Sequence, residues 1–236
     1  MFAFTNHVIV ITGAAGALGS AVAQAFHQAA AQVVLLDRSE NRWPALSAAG
    51  APAPITIGNV NVMDEESVAA AVAQIVQQTG RIDALINTVG GYRAGTPLHE
   101  MPVTDADMLM GLNARSVFLM CRAVIPHMLT QGSGKLVNIA ARGALQGTAG
   151  AGIYSASKSV VIRLTESLAA ELKQHDINVN CVLPGMIDTP ANRAAMPDAD
   201  FSEWVATEAL ADVILFLCSD AARAIHGASL PVYGRG

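Results

Sequence analysis

The stretch Thr12-Gly13-Ala14-Ala15-Gly16-Ala17-Leu18-Gly19 stands between a short β-branched run at residues 7–12 and a longer Ala- and Gln-rich run at residues 17–30. Glycine lets a backbone turn tightly and lets another group approach it, while the free N–H groups and positive dipole end of a helix N-terminus favour an anion. A plain strand-to-helix turn also uses glycine. Between a strand and a helix that open a βαβ unit, however, the string marks a dinucleotide pyrophosphate site, with Gly13, Ala15, Gly16, Ala17, Leu18 and Gly19 facing the cofactor.

The next apolar run, residues 32–37, ends at Asp37, eighteen positions beyond Gly19. A carboxylate there accepts both hydroxyls of an adenosine ribose and repels a 2′-phosphate, which favours NAD over NADP. Arg38, its neighbour, is the residue that would pair with a phosphate if NADP were bound, and an Asp at a strand end also serves as a turn former.

Outward from this unit the alternation continues. Strands are predicted at 54–58, 81–87, 135–140, 177–183 and 228–232, and helices at 64–80, 105–129, 153–175 and 208–218, the second helix closed by Gly80. Apolar strands joined by helices predict an α/β fold: a doubly wound, Rossmann-type, mostly parallel sheet with helices on both faces, in a single domain over residues 1–236. Only residues 186–204 break the pattern. Their length and their apolar side chains, Met186, Ile187, Met196, Phe201 and Trp204, suggest a lid or substrate wall, the alternative being a surface loop that packs on itself.

Composition narrows the function. With 52% hydrophobic and 14% charged residues the chain can bury a large core, and a net charge of −5 with 14 unclustered Lys and Arg gives no footprint for nucleic acid or an anionic membrane. A small-molecule partner fits better. Cys121, Cys181 and Cys218 each lie in apolar runs and read as reduced core residues, and no histidine has a partner at metal-ligand spacing, so no metal is expected. The first apolar run meets Gly13 too soon for a signal or a membrane span, and no later run reaches eighteen uninterrupted apolar residues, so the expected location is cytoplasmic.

Tyr154-Ser155-Ala156-Ser157-Lys158 sets a phenol and an ammonium one helical turn apart on one face. The helix follows the fifth strand, whose carboxyl end borders the cleft where such sheets bind ligands. Hydride reduction of a carbonyl builds an alkoxide that must take a proton, and a phenol of pKa about 10 needs a neighbouring cation to act near neutrality. Lowering that pKa by about three units takes roughly 4 kcal/mol, which Lys158 and a positively charged nicotinamide ring would share.

These residues resemble the short-chain dehydrogenases/reductases over nearly the whole chain. The likeness rests on the glycine turn, on Asn87-Thr88-Val89-Gly90, on Asn113, on the YSASK motif and on Pro184-Gly185. It implies that Tyr154 is the general acid–base, that Lys158 binds the nicotinamide ribose and lowers the tyrosine's pKa, and that Asn113 holds a water in a proton relay. It further implies cofactor contacts at Asn61, Val62, Asn87, Val89, Gly90, Pro184, Gly185, Ile187 and Thr189, substrate contacts at Ala141, Arg142, Tyr92 and Trp204, and a homodimer or homotetramer built through the two long helices.

The chain departs from the family pattern at Ala17, where Gly is common, at Asn61, where a carboxylate is common, and at Ala141, where a serine usually donates to the substrate oxygen. Losing such a donor costs on the order of 3 to 4 kcal/mol in the transition state unless it is replaced. Either the substrate needs no such donor, as an imine or quinonoid ring would not, or Thr148, Arg142 or Tyr92 substitutes. Residues 188–204, together with Gly16-Ala17-Leu18-Gly19 and Val89-Gly90-Gly91, resemble the dihydropteridine reductases, a branch that also lacks the serine and reduces quinonoid dihydropterins with NADH. A competing reading is a dinucleotide sensor that kept the turn and lost catalysis.

Overall fold

A computed structural model describes residues 2–236. Strand β1 (Val8–Thr12) is five residues buried on both faces, and β2 (Gln32–Leu36), β3 (Ile55–Ile57), β4 (Ala84–Asn87), β5 (Gly134–Ile139), β6 (Ile177–Pro184) and β7 (Ser229–Val232) complete one sheet in the order β3-β2-β1-β4-β5-β6-β7. Every pairing is parallel. The chain winds outward from β1 to β3 and then returns to lay β4 on the other side of β1, so the order reverses between β1 and β4, the place where such sheets open a ligand crevice at their carboxyl edge.

Helices cover both faces. On one side α2 (Glu65–Thr79), α4 (Ser116–Gln131) and α5 (Gly152–Leu172) bury Val68, Ile75, Met120, Met128 and Val161. On the other, α1 (Ala17–Gln28) and α7 (Thr207–Cys218) bury Phe26, Ile214 and Leu217. Phe26 is wholly buried, and its truncation to Ala would cost about 3–5 kcal/mol. Local chemistry fixes the ends of α2: the Asp64 carboxylate accepts from Ser67 N at 2.8 Å, and Gly80 closes the helix in the left-handed conformation at φ 72°. The three cysteines are free and buried.

The structure differs from the sequence expectation in three places. β4 begins at Ala84 and not at residue 81, because the buried Asp83 carboxylate takes the Val8 N–H at 2.8 Å and a bidentate Arg81 at the amino edge. The helix expected at 105–129 is α3 (Val103–Met110), a π-helical turn Gly111–Arg115 and α4. This 29-residue stretch, Val103–Gln131, is apolar enough to pass for a membrane span, with mean hydropathy 1.4 in its best window, but half of that window is buried and Val117, Met120, Val124 and Met128 sit in the core. Finally, residues 186–204, for which the sequence predicts no regular element, contain short helical turns. Thr189 accepts from Asn192 N at 3.1 Å and Pro190 takes the first position of α6 (Pro190–Ala195), while a 3-10 turn, Phe201–Glu203, follows.

Candidate active site

The register brings Thr12, Leu36, Asn87 and Asn138 into one row at the carboxyl edge. The glycine turn leaves this row directly. Gly13 is left-handed at φ +66°, and a Cβ there would stand 3.0 Å from Val89 Cγ2, so the segment after β4 packs straight onto the turn. A Cβ at Gly19 would run into the Gly13 carbonyl oxygen and reach Ala14 Cα at 2.9 Å, so α1 rests on the turn's own backbone. Gly16 caps α1 with no side chain, and no acidic residue lies in the first turn. An uncapped helix N-terminus with backbone this closely approachable fits a pyrophosphate.

Asp37 is tied into the same turn. Its carboxylate accepts Ala15 N at 3.1 Å and Ser39 N at 2.9 Å, one on each oxygen, leaving each with a further lone pair for a ribose hydroxyl. Arg38 is exposed. Past β3, Asn61 accepts Met63 N at 3.1 Å and its own N–H bonds Ser67 Oγ, so it shapes the entry to α2, with Val62 buried behind it.

Beyond β4, Thr88 Oγ1 donates to the Thr12 carbonyl at 2.5 Å. The Asn87 amide turns inward: it donates to Asn138 Oδ1 at 2.9 Å, and Asn138 donates to Thr165 Oγ1 at 3.0 Å, joining β4, β5 and α5 through three buried polar side chains. Asn113, in the π-helical turn, is fully buried. It accepts Gly91 N at 2.8 Å, and its amide nitrogen donates to the Gly91 carbonyl at 3.0 Å and to Ser157 Oγ at 2.9 Å. The Ser157 hydroxyl in turn donates to the Tyr154 carbonyl at 2.8 Å. A Cβ at Gly90 would lie 3.0 Å from Lys158 Nζ and 3.1 Å from Asn113 Oδ1, so this glycine admits both groups to one point.

Lys158 is buried and donates to the Ile139 carbonyl at 2.8 Å. Burial pushes its pKa down to about 8. Burial, and then the phenol of Tyr92, push Tyr154 up to about 12. The direction is opposite to that expected from the Tyr–Lys spacing, and burial is its largest cause. Tyr92 stands edge-on to Tyr154, ring centroids 4.7 Å apart at 85°.

The turn between β5 and α5 backs the tyrosine. Ala141 is extended and buried, and a Cβ at Gly143 would lie 3.4 Å from Tyr154 Cε1. Arg142 places its guanidinium 5.1 Å from the centre of the Tyr233 ring, and Thr148 lies exposed in a turn where its carbonyl accepts Ala151 N. Pro184 ends β6, and Gly185 packs so closely on Tyr233 that a Cβ would lie 2.9 Å from its carbonyl oxygen. Ile187 pairs with Val205 at the base of the following loop, Thr189 spends its hydroxyl on capping α6, and Trp204 packs against Phe201 with ring centroids 4.8 Å apart and planes tilted by 59°.

From the sequence, Ser157 is discounted as a nucleophile, and Asn138 and Thr165 carry no site signal. Ser157 lies three residues after Tyr154, and a small polar residue on the buried side of a helix was the available signal.

The family model described as short chain dehydrogenase matches residues 7–200. The chain is 34% identical, over a 249-residue alignment covering 97% of it and 98% of the relative, to the 2-(R)-hydroxypropyl-CoM dehydrogenase of Xanthobacter autotrophicus. A solved levodione reductase superposes with TM-score 0.91 at 29% identity, covering 98% of this chain and 97% of that one. A gluconate 5-dehydrogenase from Burkholderia cenocepacia J2315, solved with NADP and tartrate, superposes with TM-score 0.89 at 29% identity, covering 99% and 96%.

Proposed function

The chain belongs to the short chain dehydrogenase family and is a pyridine-nucleotide-dependent oxidoreductase of small molecules; from that premise we propose that it interconverts a small carbonyl and alcohol, or reduces a quinonoid ring, with NAD(H) and Tyr154 as general acid–base. The observation that carries this reading is the meeting of Lys158 Nζ, Gly90 and Asn113 beside Tyr154 at the carboxyl edge of the sheet. When bound, the dinucleotide supplies or removes the hydride. Gly13, Ala15, Gly16, Ala17, Leu18 and Gly19 would hold its pyrophosphate and Asp37 its adenosine ribose, with Asn61 and Val62 on the adenine side. Val89, Gly90, Pro184, Gly185, Ile187 and Thr189 would line the nicotinamide side.

Tyr154, with its phenol at about 12, keeps its proton through the neutral range and so stands ready to donate to a developing alkoxide. Lys158 has spent one of its three N–H donors on the Ile139 carbonyl, which leaves donors for a ribose hydroxyl and for the phenol oxygen in the reverse direction. Asn113 holds Gly91 and Ser157, and through them the backbone under Tyr154. NAD is preferred to NADP because the Asp37 carboxylate is held at the turn by two backbone donors, where a 2′-phosphate would meet its charge. Residues 186–204 form the wall over the substrate side, and the two long helices, the α3–α4 run with its exposed Met110, Phe118 and Leu129 and α5, are the surface through which a dimer or tetramer would form, which light scattering checks.

Purified protein is assayed with NADH, NADPH and a panel of aldehydes, ketones and a quinonoid dihydropterin, beside Tyr154→Phe. Turnover with NADH that falls by about 10²–10⁴-fold in the variant supports the reading. Equal turnover by the variant would sink the role of Tyr154, and tight NADH binding without turnover on any substrate would mark a sensor. A second reading, a quinonoid or imine acceptor as in dihydropteridine reductases, is supported by Ala141, which carries only a buried methyl at the position where the family resemblance expects a serine.

A further inference from the structure

We propose that the hydroxyl of Tyr92 is the second donor to the substrate oxygen, replacing in this chain the hydroxyl that Ala141 lacks. The proposal rests on the oxidoreductase reading above. A carbonyl oxygen that gains negative charge next to Tyr154 needs a second donor aimed at it, and the extended, buried Ala141 offers only a methyl. Of the three substitutes visible in the sequence, Arg142 lies over the Tyr233 ring and Thr148 sits in an exposed turn. Tyr92 alone lies against the acid–base residue, edge-on at 4.7 Å.

Its position is held from both sides. Immediately before it, Gly91 gives its N–H to and takes its carbonyl's bond from the Asn113 amide, the same amide that reaches Ser157 beneath Tyr154. Three residues after it, Gly95 N donates to the Gly150 carbonyl at 3.0 Å, which fastens the segment to the turn leading into α5. A Cβ at Gly150 would lie 3.1 Å from Gly95 N, so the two strands of backbone touch. Clamped at both ends, Tyr92 nevertheless leaves 64% of its surface open, and among the described residues no protein acceptor takes its hydroxyl proton. Pre-positioned donors that need no rearrangement are the ones that stabilise a developing oxyanion most. Burial first, and then the neighbouring Tyr92 phenol, push the pKa of Tyr154 up to about 12.

In the reductive direction a bound reduced dinucleotide would supply the hydride for the new C–H bond at the carbonyl carbon, with the C=O π pair moving onto oxygen. Tyr154 transfers its proton to that oxygen. Tyr92 keeps its proton throughout and contributes a hydrogen bond, so no further acid, oxidant or reductant is consumed.

The test is Tyr92→Phe, which keeps the ring and removes only the donor. With NADH and the same panel, kcat is expected to fall on the order of a hundredfold while NADH affinity stays within about twofold, and adding Ala141→Ser to Tyr92→Phe is expected to restore most of the loss. Tyr154→Phe run alongside separates the two claims: if Tyr154→Phe is dead and Tyr92→Phe turns over like wild type, the role of Tyr92 is overturned and the functional reading stands. A second readout needs no substrate. The phenolate absorbance assigned to Tyr154, taken as the difference between Tyr92→Phe and Tyr92→Phe with Tyr154→Phe, is expected to titrate at lower pH than the corresponding difference in the Tyr92 protein. An unmoved titration overturns the proposed proximity, and a wild type that reduces nothing on the panel overturns the functional reading instead.

Discussion

Asn113 donates to Ser157 Oγ at 2.9 Å across two helices that are far apart in sequence, and Ser157 hands the bond on to the carbonyl of Tyr154. The Asn113 side chain therefore stabilises the backbone on which Tyr154, the proposed acid–base residue, stands, and it does so with every amide proton and its oxygen engaged by protein. Removing it leaves the partly buried Gly91 N–H and carbonyl without their partner and takes away the donor to Ser157 Oγ, whose own O–H still bonds the Tyr154 carbonyl. Asn113→Leu is expected to destabilise the protein by about 3 kcal/mol and Ser157→Ala by about 1 kcal/mol in urea unfolding. Because the two residues share one bond, the double variant should lose less than the sum by about 0.5 kcal/mol or more. Strict additivity would show that the bond contributes nothing to the folded state.

Gly19 and Gly16 stand three residues apart in the same turn, yet the structure separates their tolerance. A Cβ at Gly19 meets backbone atoms of Gly13 and Ala14 that have nowhere to go, whereas at Gly16, with φ −78°, it meets only the Gly13 carbonyl oxygen at 3.2 Å. Gly19→Ala should cost about 1–3 kcal/mol and abolish stabilisation by NADH in a thermal-shift assay. Gly16→Ala should fold within about 1 kcal/mol of wild type and keep a measurable shift.

Asp37→Asn keeps the shape at the end of β2 and removes the charge. The Ala15 and Ser39 N–H groups then face one amide oxygen where two carboxylate oxygens stood, and a 2′-phosphate no longer meets an anion. The ratio of NADPH to NADH affinity, measured by fluorescence titration, should rise at least tenfold, about 1.4 kcal/mol. An unchanged ratio would mean that Asp37 does not read the ribose.

The frame of the molecule was readable because of where its residues are buried. Strands covered on both faces appear as mainly apolar runs such as VIVIT and INVNCVLP, the second carrying the buried Asn178 and Asn180, and Asp64 and Gly80 bracket α2 by local chemistry. What escaped reading is nonlocal. No residue announces the π-helical turn at Asn113; its register answers to Gly91 and Ser157, which arrive from other parts of the chain. The contact of Tyr92 with Tyr154 depends on Gly95 meeting Gly150. The opposite sign of the Tyr154 shift follows from burial, which spacing along a helix cannot reveal. Helix α6 is a different case, since Thr189-Pro190 is a legible cap and first turn hidden among residues that otherwise looked irregular.

Lys158 links function to stability through pH. Its folded pKa, about 8, lies below the ordinary 10.5, so protonating it opposes folding. That opposition is complete below pH 8 and fades as the pH rises towards 10.5, where the unfolded chain also gives up the proton. The full effect is on the order of 3 kcal/mol, an upper value because water that reaches the ammonium reduces it. Lys158→Met removes the charge at similar length, and it also removes the bond to the Ile139 carbonyl, a cost that does not change with pH. The stability of Lys158→Met relative to wild type, from urea unfolding of the cofactor-free proteins, should therefore be highest near pH 7 and fall by about 2 kcal/mol by pH 9.5. Tyr154, raised to about 12, enters only above pH 10, where it makes the folded state lose stability as the unfolded phenol ionises first. A relative stability that stays flat from pH 7 to 9.5 would show that the ammonium is solvated in the folded protein. The expected fall, together with lost turnover in the same variant, would mean that the cation is kept in the core at a cost to folding for the sake of the site.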